Sequence, residues 1–253
     1  MGWVRSWTTN WVKPWTTGFV VTTEGLPSIP GLTAWYDFTN ATYLTLSSTA
    51  ITQALDRSGN GNHTDVQGTA TARATFTANQ INGLSASVFD GGDFLVLPST
   101  MYSIANSNNT LFVVARTSLD TTQQRVIAGA EAASSRYLLE FSSSSGQVIF
   151  LNNTSTAGGV AATGITKSNA NIYTCFLNGT TQSISVNGGA ATTNTSGNYE
   201  NGIDAMRIGS GATGGAFLTG VLAEIIIYNR ALSSSEITQV SRYLSKKFNI
   251  TIT

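Results

Sequence analysis

Cysteine, histidine and charged residues are all scarce in this chain of 253 residues. The one cysteine, Cys175, excludes a disulfide within the sequence, and the strand-like run around it indicates a small buried hydrophobic side chain. The one histidine, His63, excludes a metal site built from several histidines. Because His63 lies in a turn-rich stretch, we expect a structural or solvent-exposed role for it rather than membership of a Ser-His-Asp triad.

Only 10% of the residues are charged, and 13 basic residues balance 13 acidic ones. No cluster of basic residues alternates with aromatic residues. We therefore do not expect the protein to bind nucleic acid, because such binding depends on neutralising phosphates. The apolar runs are too short to span a membrane, and the first residues lack the apolar segment of a secretory signal. This composition suits an extracellular surface or a particle coat made in a host cytoplasm without classical secretion.

Paired carboxylates and phosphate-binding loops are also missing. The acidic residues are scattered singly, and no two of them can be assigned to the pair that glycoside hydrolysis needs. The glycine-rich stretch 209–215 is not followed by the Lys-Ser/Thr of a phosphate-binding loop. The sequence therefore predicts a protein that is not an enzyme, with no catalytic residues.

Tryptophan, by contrast, is concentrated at one end of the chain. An eight-residue unit is copied once near the N-terminus and places tryptophans at every fourth position, Trp3, Trp7, Trp11 and Trp15. Such an apolar patch marks an interface. Residues 1–25 either fold back on their own domain or dock into another protein or another copy of the chain, and we predict an anchoring arm. A stiff Pro/Gly linker follows at 26–31.

Residues 32–253 are predicted to form one β-sandwich domain. Short apolar runs alternate with Gly, Asn and Ser clusters, without helix-strand alternation. The predicted strands are 32–38, 111–115, 125–128, 137–141, 148–151, 172–177, 184–186, 205–208 and 221–228. An Asn-Gly pair at 187–188 predicts a hairpin turn, and 101–106 a short helical or irregular connection. Ser233, three residues before Glu236, caps a predicted helix over 234–247 with one apolar stripe.

Three stretches carry a resemblance to a known family: the loop Asp56-Arg-Ser-Gly-Asn-Gly-Asn62, the run Val88-Phe-Asp-Gly-Gly-Asp93, and the strand and helix from Phe217 onwards. Over roughly residues 31–250 the chain resembles the concanavalin A-like lectin/glucanase domains in their laminin-G-like branch, as found in bacteriophage virion proteins. The resemblance implies an all-β fold, a two-sheet antiparallel jelly-roll sandwich with one short C-terminal helix and an extended N-terminal arm. The Glu-x-Asp-x-x-Glu run of the family's glucanases is absent.

Glu224 is an anomaly, an acid within an otherwise apolar strand, predicted to lie on the same side as Leu222 and Ile226. A buried carboxylate needs partners. One alternative is the amides and Arg57 of the 56–62 loop. The other is implied by the resemblance: many such domains carry a structural Ca²⁺ near an equivalent loop, and oxygens of Asp56, Asn60 and Glu224 would suit it.

Glycan sites combine an aromatic platform with polar groups on loops. Tyr102, Tyr199 and Phe217 border Gly/Asn/Ser-rich loops and are the candidate platform. The leading functional expectation is a bacteriophage coat, head-fibre or tail component whose arm binds other virion proteins or further copies of itself and whose lectin-like domain, on the virion surface, binds polysaccharide. The alternative is a stand-alone exported carbohydrate-binding module.

Overall fold

The computed structural model describes residues 25–131, 134–153, 158–199 and 202–253. These residues form strands in two antiparallel sheets, followed by one α-helix. The strands are β1 (Leu32–Asp37), β2 (Leu44–Ser47), β3 (Ala50–Ala54), β4 (Thr75–Ile81), β5 (Leu84–Asp90), β6 (Leu95–Val96), β7 (Asn109–Thr117), β8 (Gln124–Glu131), β9 (Ser134–Phe141), β10 (Val148–Asn152), β11 (Val160–Ala162), β12 (Asn171–Asn178), β13 (Thr181–Val186), β14 (Thr192–Asn194), β15 (Ala205–Ile208) and β16 (Thr219–Tyr228). The helix α1 spans Ser234–Phe248, and short 3₁₀ turns occupy Ala41–Tyr43, Ala70–Ala72 and Ser99–Asn106.

The larger sheet has ten strands and the smaller has six. The order in the larger sheet is β14-β13-β12-β7-β16-β5-β4-β3-β2, with β1 also paired to β16. The order in the smaller sheet is β11-β10-β9-β8-β15-β6. The two sheets pack face to face over a continuous apolar core, so the predicted two-sheet antiparallel sandwich is confirmed.

Strand β16 is the central strand of the larger sheet. It pairs with β7 along one edge, and on the other edge with β5 at its start and β1 at its end. Its register shifts between Leu222 and Glu224, which places Glu224 on the helix side with Ile226, while Leu222 packs in the inter-sheet core. The prediction that Glu224 shares a side with Leu222 is therefore wrong, because a β-bulge breaks the alternation.

The two faces of the sandwich are covered differently. Helix α1 packs on the outer face of the larger sheet and forms a second apolar core there with Phe112, Ile226 and Tyr228. Leu26 and Ile29, in the segment predicted as a linker, also pack against this core. Among the described residues, the outer face of the smaller sheet carries a small apolar cluster of Ala128, Leu138 and Leu151, and no helix covers it.

Local sequence signals formed the expected elements. The helix begins with the predicted capping box, in which Ser233 N–H donates to Glu236 at 2.8 Å, and it ends at Asn249 in the left-handed conformation. Asn187 and Gly188 have positive φ and connect β13 to β14. Each predicted strand is present, whereas β2 to β6, β11 and β14 were not predicted. Among the described residues no helix is long and apolar enough to cross a membrane.

Candidate functional site

The outer face of the six-stranded sheet contains an open cleft of about 360 Å³. Strands β8, β9 and β10 build its floor, because alternate residues of a strand point to opposite faces of the sheet. Tyr137, Leu139 and Phe141 of β9 pack in the inter-sheet core, so Leu138 and Glu140 face the cleft. Among the described residues, the lining consists of Gln123, Arg125, Leu138, Glu140, Ile149, Leu151, Gly158 and Gly159.

Glu140 is the polar centre of this cleft. Its side chain is only 7% exposed and forms an ion pair with Arg125, whose Nε lies 3.3 Å from Oε2. The amide of Gln123 donates to the same Oε2 at 2.9 Å. Burying a carboxylate in an apolar environment costs free energy unless well-placed partners, here a guanidinium and an amide, compensate its charge. The cleft therefore offers a fixed set of donors and acceptors above an aliphatic floor.

The wall of the cleft at Gly158 is held by hydrogen bonds from the edge of the larger sheet. The carbonyl of Gly158 accepts from the side chains of Gln182 and Asn194 at 3.0 Å each, and from Ser196 at 2.5 Å. Gly159 packs so closely that a Cβ there would lie 2.8 Å from Cγ2 of Ile149. The cleft thus has a preformed wall as well as a floor.

The residues predicted to bind calcium are all engaged with protein donors or carbonyls. Asp56 accepts four hydrogen bonds, from the backbone of Trp35, Ser58 and Asn62 and from the Ser58 hydroxyl, at 2.7–3.0 Å. The Asn60 amide donates to the carbonyls of Leu32 and Thr33. No group of three acidic, histidine or cysteine side chains in the described ranges could hold a metal ion.

Glu224 has partners that neither alternative anticipated. Trp35 Nε1 and the Tyr243 hydroxyl donate to its Oε1 at 2.6 and 2.8 Å, and Lys247 Nζ lies 2.8 Å from its Oε2. Lys247 also pairs with Asp37 at 2.9 Å. The Lys247 ammonium therefore lies between the carboxylates of Glu224 and Asp37, in the position that a bound calcium ion would need. The residues do not fit a calcium ion at Glu224, and calcium binding stays a prediction.

Arg57 of the 56–62 loop forms its ion pair with Asp37 and not with Glu224. Its guanidinium lies 2.5 Å from Asp37 and stacks between the rings of Trp35 and Tyr43, at 3.7 and 3.8 Å from their centroids. Burial opposes ionisation of Asp37, but Lys247 and the hydrogen bonds from Thr39 hold its pKa below the usual value. Burial raises the pKa of Glu224, and Lys247 offsets only part of that rise.

The three aromatic residues predicted as a glycan platform differ in exposure and partners. Tyr199 is 39% exposed and donates to Asn108 at 2.9 Å. Tyr102 is half-buried against the inter-sheet core, and burial, with Asp65 and Asp204, raises its pKa. Phe217 is half-buried just before β16. None of the ring contacts in the described part of the chain joins them, and none of the three lines the cleft.

Other predicted residues fall outside the site or outside the described residues. The anchoring arm stays a prediction, because its tryptophans lie outside the described residues: Trp3, Trp7, Trp11 and Trp15. His63 is exposed and accepts a hydrogen bond from the Asp56 backbone at 2.8 Å, a structural role. Cys175 is buried, as predicted.

Sequence reasoning missed Gln123, Arg125 and Glu140. One signal could have found them: Glu140 interrupts the apolar run Tyr137–Phe141, as Glu224 interrupts β16. The three come together only through the pairing of β8 with β9, in which Arg125 faces Glu140.

Comparison with known families matches residues 89–238, more than half of the chain, to the family described as the concanavalin A-like lectin/glucanases superfamily. The chain belongs to this superfamily. The match covers β5 in part, β6 to β16 and the first turn of α1, and therefore includes every strand that builds the cleft. No curated protein sequence is significantly similar to the chain.

Several solved structures share this superfamily fold with the chain. A Trypanosoma rangeli sialidase in complex with the inhibitor DANA is 19% identical over 89% of the chain, with a TM-score of 0.59. The same organism's sialidase in complex with sialic acid is 20% identical over 88%, with a TM-score of 0.55. The chain spans 34% and 36% of these two sialidase chains. Domain 4 of the Geobacillus stearothermophilus extracellular arabinanase AbnA, in complex with arabinotriose, is 18% identical with a TM-score of 0.55; the match covers 83% of this chain and 98% of the domain.

These structural relatives overturn the predicted role as a coat, head-fibre or tail component of a bacteriophage. They are sialidases and a domain of an arabinanase, both proteins that act on carbohydrate. At these identities the likeness establishes the fold alone, and a lectin-like fold is compatible with enzymes and with binding domains. The Trp-rich repeat led to the wrong prediction because an apolar patch indicates an interface without indicating its partner.

Proposed function

We propose that this chain is a non-catalytic carbohydrate-binding domain that holds a saccharide in the cleft of the six-stranded sheet. The observation that carries the proposal is the ion pair of Glu140 and Arg125, fixed with Gln123 in an open cleft above aliphatic side chains. Binding sites for small ligands combine an apolar lining with a few convergent polar groups, as this cleft does.

The polar groups match the chemistry of a sugar. Gln123 and Arg125 both donate to Oε2 of Glu140, so Oε1 can accept from a ligand hydroxyl. Leu138, Ile149 and Leu151 provide an apolar surface for the C–H face of a sugar ring. Because both kinds of contact are preformed, binding requires little rearrangement of the protein.

The described residues of this cleft do not provide the groups that hydrolysis of a glycosidic bond needs. Glycosidases use two carboxyl groups flanking the scissile bond, or in sialidases a tyrosine nucleophile. Glu140 is the single carboxylate among the described residues that line the cleft, and no tyrosine lines it. This supports binding without catalysis.

The arabinanase domain adds a second line of support. It is a single domain of almost the same extent as this chain, and it was solved with arabinotriose bound. The sialidases are about three times longer than the matched region, so their activity does not transfer to this chain. Arabinotriose and sialic acid are therefore the first probes to use.

The test is a glycan array followed by calorimetric titration of the wild-type chain and Gln123→Ala. We expect Gln123→Ala to bind the best array ligand about tenfold more weakly, because one hydrogen bond and the support of Glu140 are lost. Gln239→Ala, at an exposed position of α1, is the matched control and should bind like the wild type.

Two results would contradict the proposal. One is the absence of any array signal, with and without EDTA. The other is release of shorter sugars from the ligand during incubation, which would indicate an enzyme. Thermal melts with EDTA test the calcium prediction separately, because an ion that binds only the native state raises the midpoint.

A further inference from the structure

A second cleft lies on the opposite face of the sandwich, on the ten-stranded sheet where α1 ends. Its volume is about 350 Å³. It is formed by the end of β4 with its turn, by β7, by the loop before β12 and by the residues after α1. Its lining is Gln80, Ile81, Asn82, Arg116, Ser168, Asn169, Ala170, Asn249 and Ile250. The first cleft shares none of these residues.

Arg116 is the one charged residue among the described residues of this lining. In β7, Phe112 and Val114 pack on the helix side of the sheet, and the two-residue alternation places Arg116 on that same side, beyond the end of α1. Within the described part of the chain, the hydrogen bonds of its guanidinium go to Gln80, with long distances of 3.4 and 3.5 Å to the carbonyl and side-chain oxygens. Among the described residues no carboxylate pairs with it.

A guanidinium has five N–H donors in a planar fork that fits a carboxylate in a bidentate way. Most of these donors are unused in Arg116. By contrast, Arg57, Arg125 and Arg230 each form an ion pair with an acidic side chain. A half-buried arginine in a cleft without an acid is therefore suited to a carboxylate supplied by a ligand.

The carbonyl groups at the C-terminal end of α1 accept hydrogen bonds from groups other than Arg116. The Asn249 N–H donates to the Ser245 carbonyl, and the Asn82 amide donates to the carbonyls of Phe248 at 2.6 Å and Asn249 at 3.3 Å. These carbonyls, which carry the negative end of the helix dipole, are thus capped. Amides and a hydroxyl supply the remaining polar lining, which matches sugar hydroxyl groups.

We propose that this second cleft binds the carboxylate of an acidic saccharide through Arg116, with the surrounding amides on the sugar hydroxyls. The proposal does not depend on the function of the first cleft, because the two sites share no residue. It makes the domain capable of contacting polysaccharide on both faces of the sandwich.

The test compares a trimer of galacturonic acid with its neutral counterpart, galactotriose, by calorimetric titration at low and high salt. We expect the acidic trimer to bind the wild type more tightly at low salt, and Arg116→Gln to weaken that binding about tenfold or more. Arg242→Gln, at an exposed position of α1, is the matched control and should bind like the wild type.

Backbone amide shifts locate the bound trimer, and we expect the largest shifts at Asn82, Asn169 and Asn249. The proposal is overturned if the acidic trimer does not bind, if Arg116→Gln binds it like the wild type, or if galactotriose binds equally well. Competition by acetate alone is measured as well. If acetate competes at the concentration of the trimer, the site recognises any carboxylate and the saccharide assignment fails. A thermal melt of Arg116→Gln confirms that the variant is folded.

Discussion

Buried charged side chains are the residues that define this protein. Lys167 is fully buried, and its ammonium donates to the carbonyls of Asp120, of Ser142 at 2.8 Å and of Ser144 at 3.2 Å. Glu224 accepts from two ring donors and one ammonium, whereas Glu140 accepts from an amide and a guanidinium at the edge of solvent. Lys167 and Glu224 stabilise the fold, whereas Glu140 lines the cleft on the smaller sheet.

Replacing Glu224 by alanine should lower the free energy of unfolding by about 3 kcal/mol, because the buried donors of Trp35 and Tyr243 lose their acceptor. Glu224→Gln keeps an oxygen acceptor for both donors and should lose less. Urea unfolding at pH 7 measures both. If the two variants are equally stable, the hydrogen bonds of Glu224 do not contribute as argued.

At the scale of elements, β16 organises the larger sheet. It pairs with β7, β5 and β1, and all its residues except Thr219 are buried. Its apolar run made the strand predictable from the sequence. The bulge before Glu224 was not predictable, because a shift in register depends on the partner strand rather than on the strand's own residues.

Gly220 in β16 should not tolerate alanine. A Cβ there would lie 2.3 Å from the backbone oxygen of Arg116 in β7, so the two strands would have to move apart. We expect Gly220→Ala to lower the free energy of unfolding by about 1–3 kcal/mol, the usual cost of overpacking. Gly68→Ala is the control, because nothing lies within 4 Å of its Cβ position. Equal urea midpoints for the two variants would contradict the expectation.

At the scale of the whole molecule, the sandwich is asymmetric. Helix α1 covers one sheet, and no helix of the described residues covers the other, which gives the two clefts different surroundings. The loop between β5 and β6 passes from the larger sheet to the smaller one, and Asp93 in this loop is 3% exposed. Burial and the neighbouring Asp90 carboxylate raise the pKa of Asp93 to about 6, although it accepts from the Asp90 N–H.

This raised pKa makes stability depend on pH. The folded protein holds the proton of Asp93 more tightly than the unfolded chain, whose aspartate pKa is about 3.9. The stabilising contribution is therefore complete below about pH 4 and is lost as the pH rises through about 6. Asp93→Asn, which resembles the protonated form, should exceed the wild type by about 1–2 kcal/mol at pH 7 and match it at pH 4.

Urea unfolding between pH 4 and pH 8 measures this difference, with Asp65→Asn, at an exposed position, as the control. A constant gap between Asp93→Asn and the wild type across that range would show that Asp93 is not the titrating group.

The class of fold, most of the strands around the inter-sheet core, the hairpin turn at Asn187 and the capped helix were predictable from the amino-acid sequence. Each of these follows from a pattern within a few neighbouring residues, such as apolar alternation, Asn-Gly or a Ser/Glu cap. Three features were visible only in the folded molecule: which sheet α1 covers, on which side of β16 Glu224 lies, and that Arg125 meets Glu140 in a cleft. These depend on strand register and sheet packing between residues far apart in the chain, which local patterns do not encode.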